Sequence, residues 1–334
     1  MPKRYLGNII TDTPTEPTEN YENSAASGVW SLAEANAYTA AGLWPTAGNA
    51  APIGLSLGGE SPTTNAINKI LIGTLGNATD FGDLTVARYG LAGGGSDTRA
   101  IVAGGVSNLT VIDYVAFATE GNASDFGDLS QGRQLLGASS NNTRTCFGGG
   151  SGTNVIDYIT NASTGNATDF GDLTVSVNQV TGTGSTTRGL FGGGSGPTNV
   201  IGYITIASTG NATDFGDLTV ARYALAAVAD ATRGVFAGGD NGTRQNVMDY
   251  VTISSTGNAT DFGDLTIARD ETAGNIANAT RGIIHGGINA SGSPVTSMDY
   301  ITIQTTGNAA DFGDLPVAIR FQAGAASSNA AVQA

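Results

Sequence analysis

Short apolar runs separated by turn residues cover most of the chain. In residues 80–125 the successive runs are TVAR, YGLAGGGS, TRAIVAGG and TVIDYVAFA, each bounded by Gly, Asn or Ser. The enrichment in Val, Ile, Tyr, Phe and Thr is typical of β-strands. Sustained helical periodicity does not occur in this stretch. The pattern therefore predicts an all-β unit of four short strands.

One run indicates which faces of these strands are covered. In the segment VIGYITI at 200–206, apolar side chains occupy both odd and even positions. Alternate residues of a strand point to opposite faces, so both faces of this strand should be buried. A sheet wedged between two neighbours has this property, whereas a sandwich sheet with one wet face does not. The pattern favours a ring of sheets.

The unit recurs along the chain. The motif GN-x-x-DFGDL begins about 45 residues apart at Gly76, Gly121, Gly165, Gly210, Gly257 and Gly307. Four strands in a repeat of this length match one blade of a β-propeller. We therefore predict a six-bladed propeller of four-stranded blades, with seven blades as the alternative.

The ends of the array indicate how the ring closes. PIGLSLGG at 52–59 matches the strand that ends in Gly-Gly, and the C-terminal FQAGAASSNAAVQA matches the strands that precede it. An open solenoid would need polar capping repeats, which neither end offers. We expect a propeller domain over 51–334, closed by pairing of its N- and C-terminal strands.

Length variation is concentrated in one part of the repeat. The Asp of DFGD lies 25, 25, 25, 25 and 26 residues before the second Gly of the Gly-Gly strand. The Asp of IDY, or its counterpart, precedes the next DFGD by 12 residues in all six units. By contrast, the distance from the second Gly of the Gly-Gly strand to the Asp of IDY, or its counterpart, is 9, 8, 7, 8, 10 and 12 residues. The insertions therefore fall in a single loop of each unit, at 60–67, 106–112, 151–156, 195–201, 240–248 and 288–298.

Insertions confined to one loop of a repeat lie on one face of the array, which is often the binding face. The longest loops, 240–247 and 288–297, are the best candidates for contact. The polar residues expected to bind a receptor are Asn108, Thr198, Asp240, Asn241, Arg244, Gln245, Asn289, Ser291 and Ser293.

Residues 1–50 differ from the repeats. Residues 1–27 are polar and rich in Thr, Glu, Asn and Pro, which predicts an extended arm. A capping box, Ser-Leu-Ala-Glu at 31–34, predicts a short helix to about residue 41. Such a helix must dock on the propeller or on another protein. We favour another protein, and the anchoring side chains would be Trp30, Leu32, Tyr38, Leu43 and Trp44.

The repeat resembles two families. It is similar to the kelch repeat in having a double Gly at the end of one strand, a Tyr on the next strand, and then an aromatic residue and an Arg. Kelch motifs, however, have Trp where Phe81 and its counterparts stand. YITIASTGNATDFGDLTVAR also resembles repeats in virion proteins of tailed phages, especially phages of marine bacteria. The segment SGVWSLAEANAYTAAGLWP is similar to the opening of many phage tail-fibre and tail-associated proteins. Together these resemblances cover nearly the whole chain.

The phage resemblance implies a virion component that is assembled in the host cytoplasm. Residues 1–50 would then bind other virion proteins, and the propeller would be displayed outward to bind a host-surface glycan or protein. Oligomerisation is expected only through the symmetry of the particle. The alternative is a structural decoration or spacer of the tail or capsid that has no ligand.

Composition and charge exclude several kinds of partner and structure. The net charge of -14, from 28 acidic and 14 basic residues, argues against a nucleic-acid partner. No apolar run approaches the ~18 residues that span a membrane. Cys146 is the single cysteine, so an internal disulfide is excluded.

Catalytic and metal chemistry find little support in the sequence. A Ser-His hydrolase needs a base, but the single histidine, His285, sits in a framework strand. The DFGD turns offer too few oxygens for Ca²⁺ on their own. The acids outside repeated positions, which a glycosidase could use, are Glu60, Asp97, Glu120, Asp230, Asp240, Asp270 and Glu271. We predict a non-enzymatic protein that has no cofactor and no metal.

Two sets of repeated charges should be structural. Arg recurs in the TR dipeptide (Arg99 and its counterparts), and Asp recurs in IDY except where Gly202 stands. Ion pairs or hydrogen bonds between blades explain both sets, with a charged lining of a central channel as the alternative.

Overall fold

The computed structural model describes Ala33, Glu34 and Ala37 and the continuous stretch 52–328. Ala33, Glu34 and Ala37 are helical and exposed, and they lie inside the predicted helix. The anchoring residues Trp30, Leu32, Tyr38, Leu43 and Trp44 lie outside the described residues. The chain divides into two units after Pro52, close to the boundary expected at residue 50.

Residues 53–328 form a six-bladed β-propeller of four-stranded antiparallel blades, which confirms the predicted fold and excludes seven blades. The first strands of neighbouring blades contact each other in a closed cycle, so they surround the central axis. Blades 1 to 3 consist, from the axis outward, of β26 (Ala323–Ala326), β1 (Ile53–Gly59), β2 (Thr64–Leu71) and β3 (Thr79–Asp83); β4 (Ala92–Gly95), β5 (Arg99–Ala103), β6 (Val111–Ala116) and β7 (Ser124–Asp128); and β8 (Gly137–Ser140), β9 (Arg144–Gly148), β10 (Thr153–Thr160) and β11 (Thr168–Val177).

Blades 4 to 6 follow the same order. They consist of β12 (Thr181–Gly184), β13 (Arg188–Gly192), β14 (Thr198–Thr205) and β15 (Thr213–Arg222); β16 (Ala226–Ala229), β17 (Arg233–Ala237), β18 (Val247–Thr252) and β19 (Thr260–Asp264); and β21 (Ala273–Ala277), β22 (Arg281–His285), β24 (Val295–Thr302) and β25 (Ala310–Ile319). A short ribbon of β20 (Arg269–Asp270) and β23 (Ile288–Asn289) joins the loops beside blade 6.

The ring closes within blade 1. Its axial strand, β26, comes from the C-terminal part of the chain and pairs antiparallel with β1, with Leu57 opposite Ala323 and Gly54 opposite Ala326. This is the closure that the matching strand motifs predict. The pairing gives the edge of β1 a partner inside the same molecule.

The axial strands carry small residues because their backbones approach one another. A Cβ on Gly324 would lie 1.8 Å from the carbonyl oxygen of Gly274, and one on Gly182 would lie 2.4 Å from that of Ala138. The axial sequences AGGG, GASS, TGTG, AAVA and AGAA reflect this crowding. No ring of charge lines the centre along these strands, so the alternative of a charged channel is wrong.

The repeated aromatic residues pair within each blade and pack against the next blade. In blades 2 to 6 the Tyr of each third strand meets the Phe of DFGD edge to face, with ring centroids 5.8–6.1 Å apart. The TR arginine stacks over the same Tyr at 4.2–4.7 Å and donates to a backbone carbonyl of the next blade. This set of arginines therefore joins blades, as predicted.

The IDY aspartates pair with a second set of arginines, which follow DFGDL in the sequence. Asp157, for example, accepts from Arg133 Nη2 at 2.7 Å and from Ser130 Oγ at 2.6 Å, across the boundary between blades 2 and 3. Both charged side chains are fully buried. The equivalent pairs are Arg88–Asp113, Arg222–Asp249 and Arg269–Asp299. Burial lowers the pKa of Arg133, and Asp157 opposes that shift.

Two of the six blade boundaries have neither the arginine nor the aspartate of this pair. Between blades 3 and 4, Val177 takes the arginine position and Gly202 takes the aspartate position. Between blades 6 and 1, Ile319 and Asn68 take the two positions. Val177 and Ile319 pack instead against Gly194 and Gly59 of the next blade. These two boundaries are opposite each other in the ring, so they separate blades 1–3 from blades 4–6.

The outer edge carries a further repeated contact. The Oδ1 atom of the Asn in each GN motif accepts from the backbone N–H of the second Asp of DFGD in the preceding blade, at 3.0–3.1 Å. The sixth copy, Asn308, makes the same bond although Ala310 stands where the other five copies have Ser or Thr. All six asparagines therefore join neighbouring blades.

A Gly324→Ala variant tests the axial crowding. Its methyl group would overlap a backbone oxygen, so we expect a loss of about 1–3 kcal/mol or more in the free energy of unfolding. Gly202→Ala is the matched control, because a Cβ there meets only ordinary contacts at 3.5 Å and beyond. Urea denaturation measures both, and equal stability of the two variants would contradict the crowding.

Replacing one or both members of a buried pair tests the boundary chemistry. Asp249→Gly leaves Arg222 buried without its carboxylate and should cost about 3–5 kcal/mol. The double variant Arg222→Val plus Asp249→Gly copies the natural boundary at Val177 and Gly202, so it should be more stable than the single variant. Urea denaturation of the wild type, Asp249→Gly and the double variant measures the free energy of unfolding of each. A double variant less stable than Asp249→Gly would refute this account.

Candidate binding face

The variable loops and the connections between blades lie on one face, which we call the loop face. The start of each loop hydrogen-bonds to the connection that enters the axial strand. Examples are Val106 N to Tyr89 O at 2.8 Å and Asp240 N to Tyr223 O at 2.9 Å. In the sixth position the strands β20 and β23 form the equivalent pairing. All six loops singled out by their length variation therefore surround the axis at the same end.

The predicted contact residues differ in exposure. Asn108, Asn241, Ser291 and Ser293 are exposed; Thr198, Arg244, Gln245 and Asn289 are partly buried; Asp240 is buried. Asp240 accepts from the Tyr223 hydroxyl at 3.2 Å and from Gly242 N. Arg244 Nε donates to Asp270 at 2.7 Å, so its charge is already paired. Asp240 and Arg244 therefore shape the face more than they extend from it.

The exposed loops are held by their own side chains. Asn289 Oδ1 accepts from Ser291 N and Ser293 N, at 3.0 and 3.1 Å. Gln245 Nε2 donates to Asn241 Oδ1 at 3.0 Å, and Ser151 Oγ donates to Asn108 Oδ1 at 2.6 Å. Bonds of this kind give short polar loops a defined shape. The face is therefore preorganised.

A closed circle of hydrogen bonds surrounds the axis on this face. One residue per blade connection donates its N–H to the carbonyl of its equivalent in the preceding connection, at 2.6–3.1 Å, until the sixth meets the first. All six have a left-handed φ of 53–67°. We call them the axial ring: Gly90, Leu135, Gln179, Ala224, Glu271 and Phe321.

The axial ring surrounds the mouth of a cavity of about 80 Å³. One water needs ~10–15 Å³ on this measure, so the space exceeds that of a single solvent molecule. Asn275 lines it and donates Nδ2 hydrogen bonds to Gly93 O and Ala138 O, at 3.1 and 3.3 Å, from blade 6 to blades 2 and 3. Its side chain therefore crosses the axis.

Asn275 and the axial ring were missed by the loop-length argument. Asn275 occupies a bulge in β21, where the register to β22 shifts between Ala273 and Ile276. That extra residue is the reason why one repeat has a spacing of 26 instead of 25. The departure from a constant framework spacing was the available signal.

Four of the seven non-repeated acids meet beside the mouth. Arg320 binds Glu60 and Glu271, each at 2.9 Å, and Arg244 binds Asp270, with Asp240 nearby. Burial and the neighbouring Asp270 raise the pKa of Glu271 to about 7, against the opposing effect of Arg320. Burial also raises the pKa of Asp270. The other three, Asp97, Glu120 and Asp230, lie in turns at the opposite ends of the blades.

The remaining candidates for chemistry are buried in the framework. Burial lowers the pKa of His285 to about 3, so its imidazole is neutral and is enclosed in β22. Burial raises the pKa of the Cys146 thiol to about 12. Among residues 52–328 and the three helical residues, no three His, Cys, Asp or Glu side chains converge to hold a metal.

Comparisons with known proteins identify no family for this chain. No protein-family model matches it, and no curated protein is significantly similar to it in sequence. In the part of the chain that the structure describes, no helix is long and apolar enough to cross a membrane.

The raised pKa of Glu271 predicts a pH-dependent stability. Its usual value of 4.5 applies to the unfolded chain, so the folded state binds the proton more tightly. The stabilisation by the protonated carboxyl is complete below pH 4.5 and is lost as the pH rises through about 7. The wild type should therefore lose stability between pH 5 and pH 8 that Glu271→Gln retains. The free energy of unfolding of the variant, relative to that of the wild type, should rise over this range by an amount on the order of 1–3 kcal/mol.

Thermal and urea unfolding at both pH values check this expectation. The matched control is Glu120→Gln, which also removes an ion-paired carboxylate but from an exposed site on the opposite face. If both variants respond alike to pH, burial at the mouth is not the cause.

Proposed function

We propose that this protein is a non-enzymatic virion component of a tailed phage, of the tail-fibre or tail-associated kind. Residues 1–50 would attach it to the particle, and the loop face of the propeller would bind a host-surface receptor. The proposal for residues 1–50 rests on the sequence resemblance, because the anchoring residues lie outside the described part of the chain.

The observation that carries the receptor-binding proposal is the distribution of variation among the blades. The Tyr–Phe contacts, TR arginines and GN asparagines repeat around the ring, and they form the framework. Loop length varies, and apart from the one extra residue in β21 that variation lies on the loop face. A preorganised face loses less conformational entropy on binding, which favours recognition. A framework with one variable face is what a recognition module requires.

A second candidate is a structural decoration or spacer without a ligand. Its support comes from the same face, because several polar loop groups are already bonded within the propeller. Arg244 is paired with Asp270, and Asn108 accepts from Ser151. Hydrogen bonding among the loop groups themselves also suits a surface that is stable but binds no ligand.

The test places a bulky side chain on the loop face. Ser293 is exposed, and it takes part in the local turn through its backbone N–H and carbonyl, so Ser293→Trp should fold normally. Particles that carry Ser293→Trp should adsorb to host cells at least tenfold more slowly than wild-type particles. Adsorption is measured as loss of free particles with time, and particle integrity by electron microscopy.

Thr209→Trp supplies the control, since Thr209 is an exposed residue in a turn on the opposite face. Normal adsorption by both variants would contradict receptor binding through this part of the loop face. Failure of Ser293→Trp particles to assemble would support the structural candidate.

A further inference from the structure

The axial ring is the position at which the six copies agree least. Its members are Gly, Leu, Gln, Ala, Glu and Phe, although all six adopt the same left-handed backbone. Residues other than Gly and Asn are disfavoured in that conformation by roughly 1–2 kcal/mol. Framework needs alone would favour Gly at every copy, as at Gly90. The side chains of Leu135, Gln179, Glu271 and Phe321 therefore indicate a role that outweighs this cost.

The cavity that they surround has an apolar part and several polar groups. Phe321 and Leu135 provide the apolar wall, whereas Gln179, Thr181 and Asn275 add polar groups at other points of the circumference. A lining of this mixed kind favours a ligand that has both an apolar face and hydrogen-bonding groups.

Charge beside the mouth favours a cation. The four carboxylates Glu60, Asp240, Asp270 and Glu271 face only two guanidinium groups, Arg244 and Arg320, which leaves an excess of two negative charges when all four are ionised. Arg320 is shared between Glu60 and Glu271, so neither carboxylate has a cation to itself. Glu271 is the only one of the four that lines the cavity.

We propose that the axial cavity binds an amino sugar, with the protonated amine at Glu271 and the sugar ring against Phe321. The hydroxyl groups would donate to the polar lining, with Gln179 and Asn275 on other sides of the ring. A lysine side chain has one polar group and would leave those positions unused. The proposal deepens the proposed function, because it names the receptor class, and it rests on that function for the source of the sugar.

The ring itself supplies well-matched variants. Glu271→Gln introduces the residue that blade 4 already carries at Gln179, and Gln179→Ala introduces the residue that blade 5 carries at Ala224. Both new residues are therefore known to fit this backbone. Glu120→Gln removes an ion-paired carboxylate from the opposite face and serves as the control.

The experiment titrates the full-length protein near neutral pH with D-glucosamine, D-glucose, N-acetyl-D-glucosamine and Nα-acetyl-lysine, with binding followed by NMR chemical shifts. D-glucosamine should bind saturably and at least tenfold more tightly than D-glucose or N-acetyl-D-glucosamine. Glu271→Gln should weaken that binding at least tenfold and Gln179→Ala about threefold, whereas Glu120→Gln should leave it unchanged.

Each other outcome overturns the inference. Equal binding of N-acetyl-D-glucosamine would exclude recognition of the amine, and tighter binding of Nα-acetyl-lysine would exclude the sugar. No saturable binding by any probe, or equal binding by Glu271→Gln, would exclude the site. The adsorption test with Ser293→Trp is separate: reduced adsorption without D-glucosamine binding would leave the proposed function standing and remove only this inference.

Discussion

The distance between the axial strands is the constraint on which the rest of the propeller depends. Six strands meet so closely at the axis that a methyl group on Gly324 would overlap the backbone of a neighbour. Small residues are therefore required there, and the connections above them come close enough to form a closed circle of hydrogen bonds. Because every N–H and carbonyl in that circle is paired, the axial backbone stays satisfied even where side chains vary. The variable groups at the mouth thus stand on a rigid support.

The blade boundaries show two solutions to the same packing problem. Four use a buried arginine and aspartate, for which the loss of hydration is offset by mutual attraction and by a hydroxyl or carbonyl partner. Two use Val177 or Ile319 against glycine. Replacing a buried ion pair with apolar contacts is often neutral for stability, which explains why both kinds persist in one ring.

The sequence predicted the framework well because the framework repeats. Strand composition, blade length and ring closure all follow from local patterns that six copies reinforce. The partners of the IDY aspartates could not be assigned, since Arg99 and Arg88 recur with the same period and only three-dimensional proximity separates them. Glu271 was noted as a non-repeated acid, but its position at the mouth depends on how distant connections meet around the axis. The role of Asn275 follows from one inserted residue, whose direction across the axis no linear pattern contains.

The positions of the two apolar boundaries also limit which arrangements of the blades fit together. Near-identical units can join out of sequence while the chain folds, and a ring that omits one unit would still pair its strands. Omitting blade 4, however, would bring Asp249 against Val177, and omitting blade 1 would bring Asp113 against Ile319. Omitting blade 3 or blade 6 would strand Arg133 or Arg269 against Gly202 or Asn68. Each of these four errors buries a charge without its counterpart, so the two apolar boundaries discriminate against them. Omission of blade 2 or blade 5 would instead leave Arg88 with Asp157 or Arg222 with Asp299.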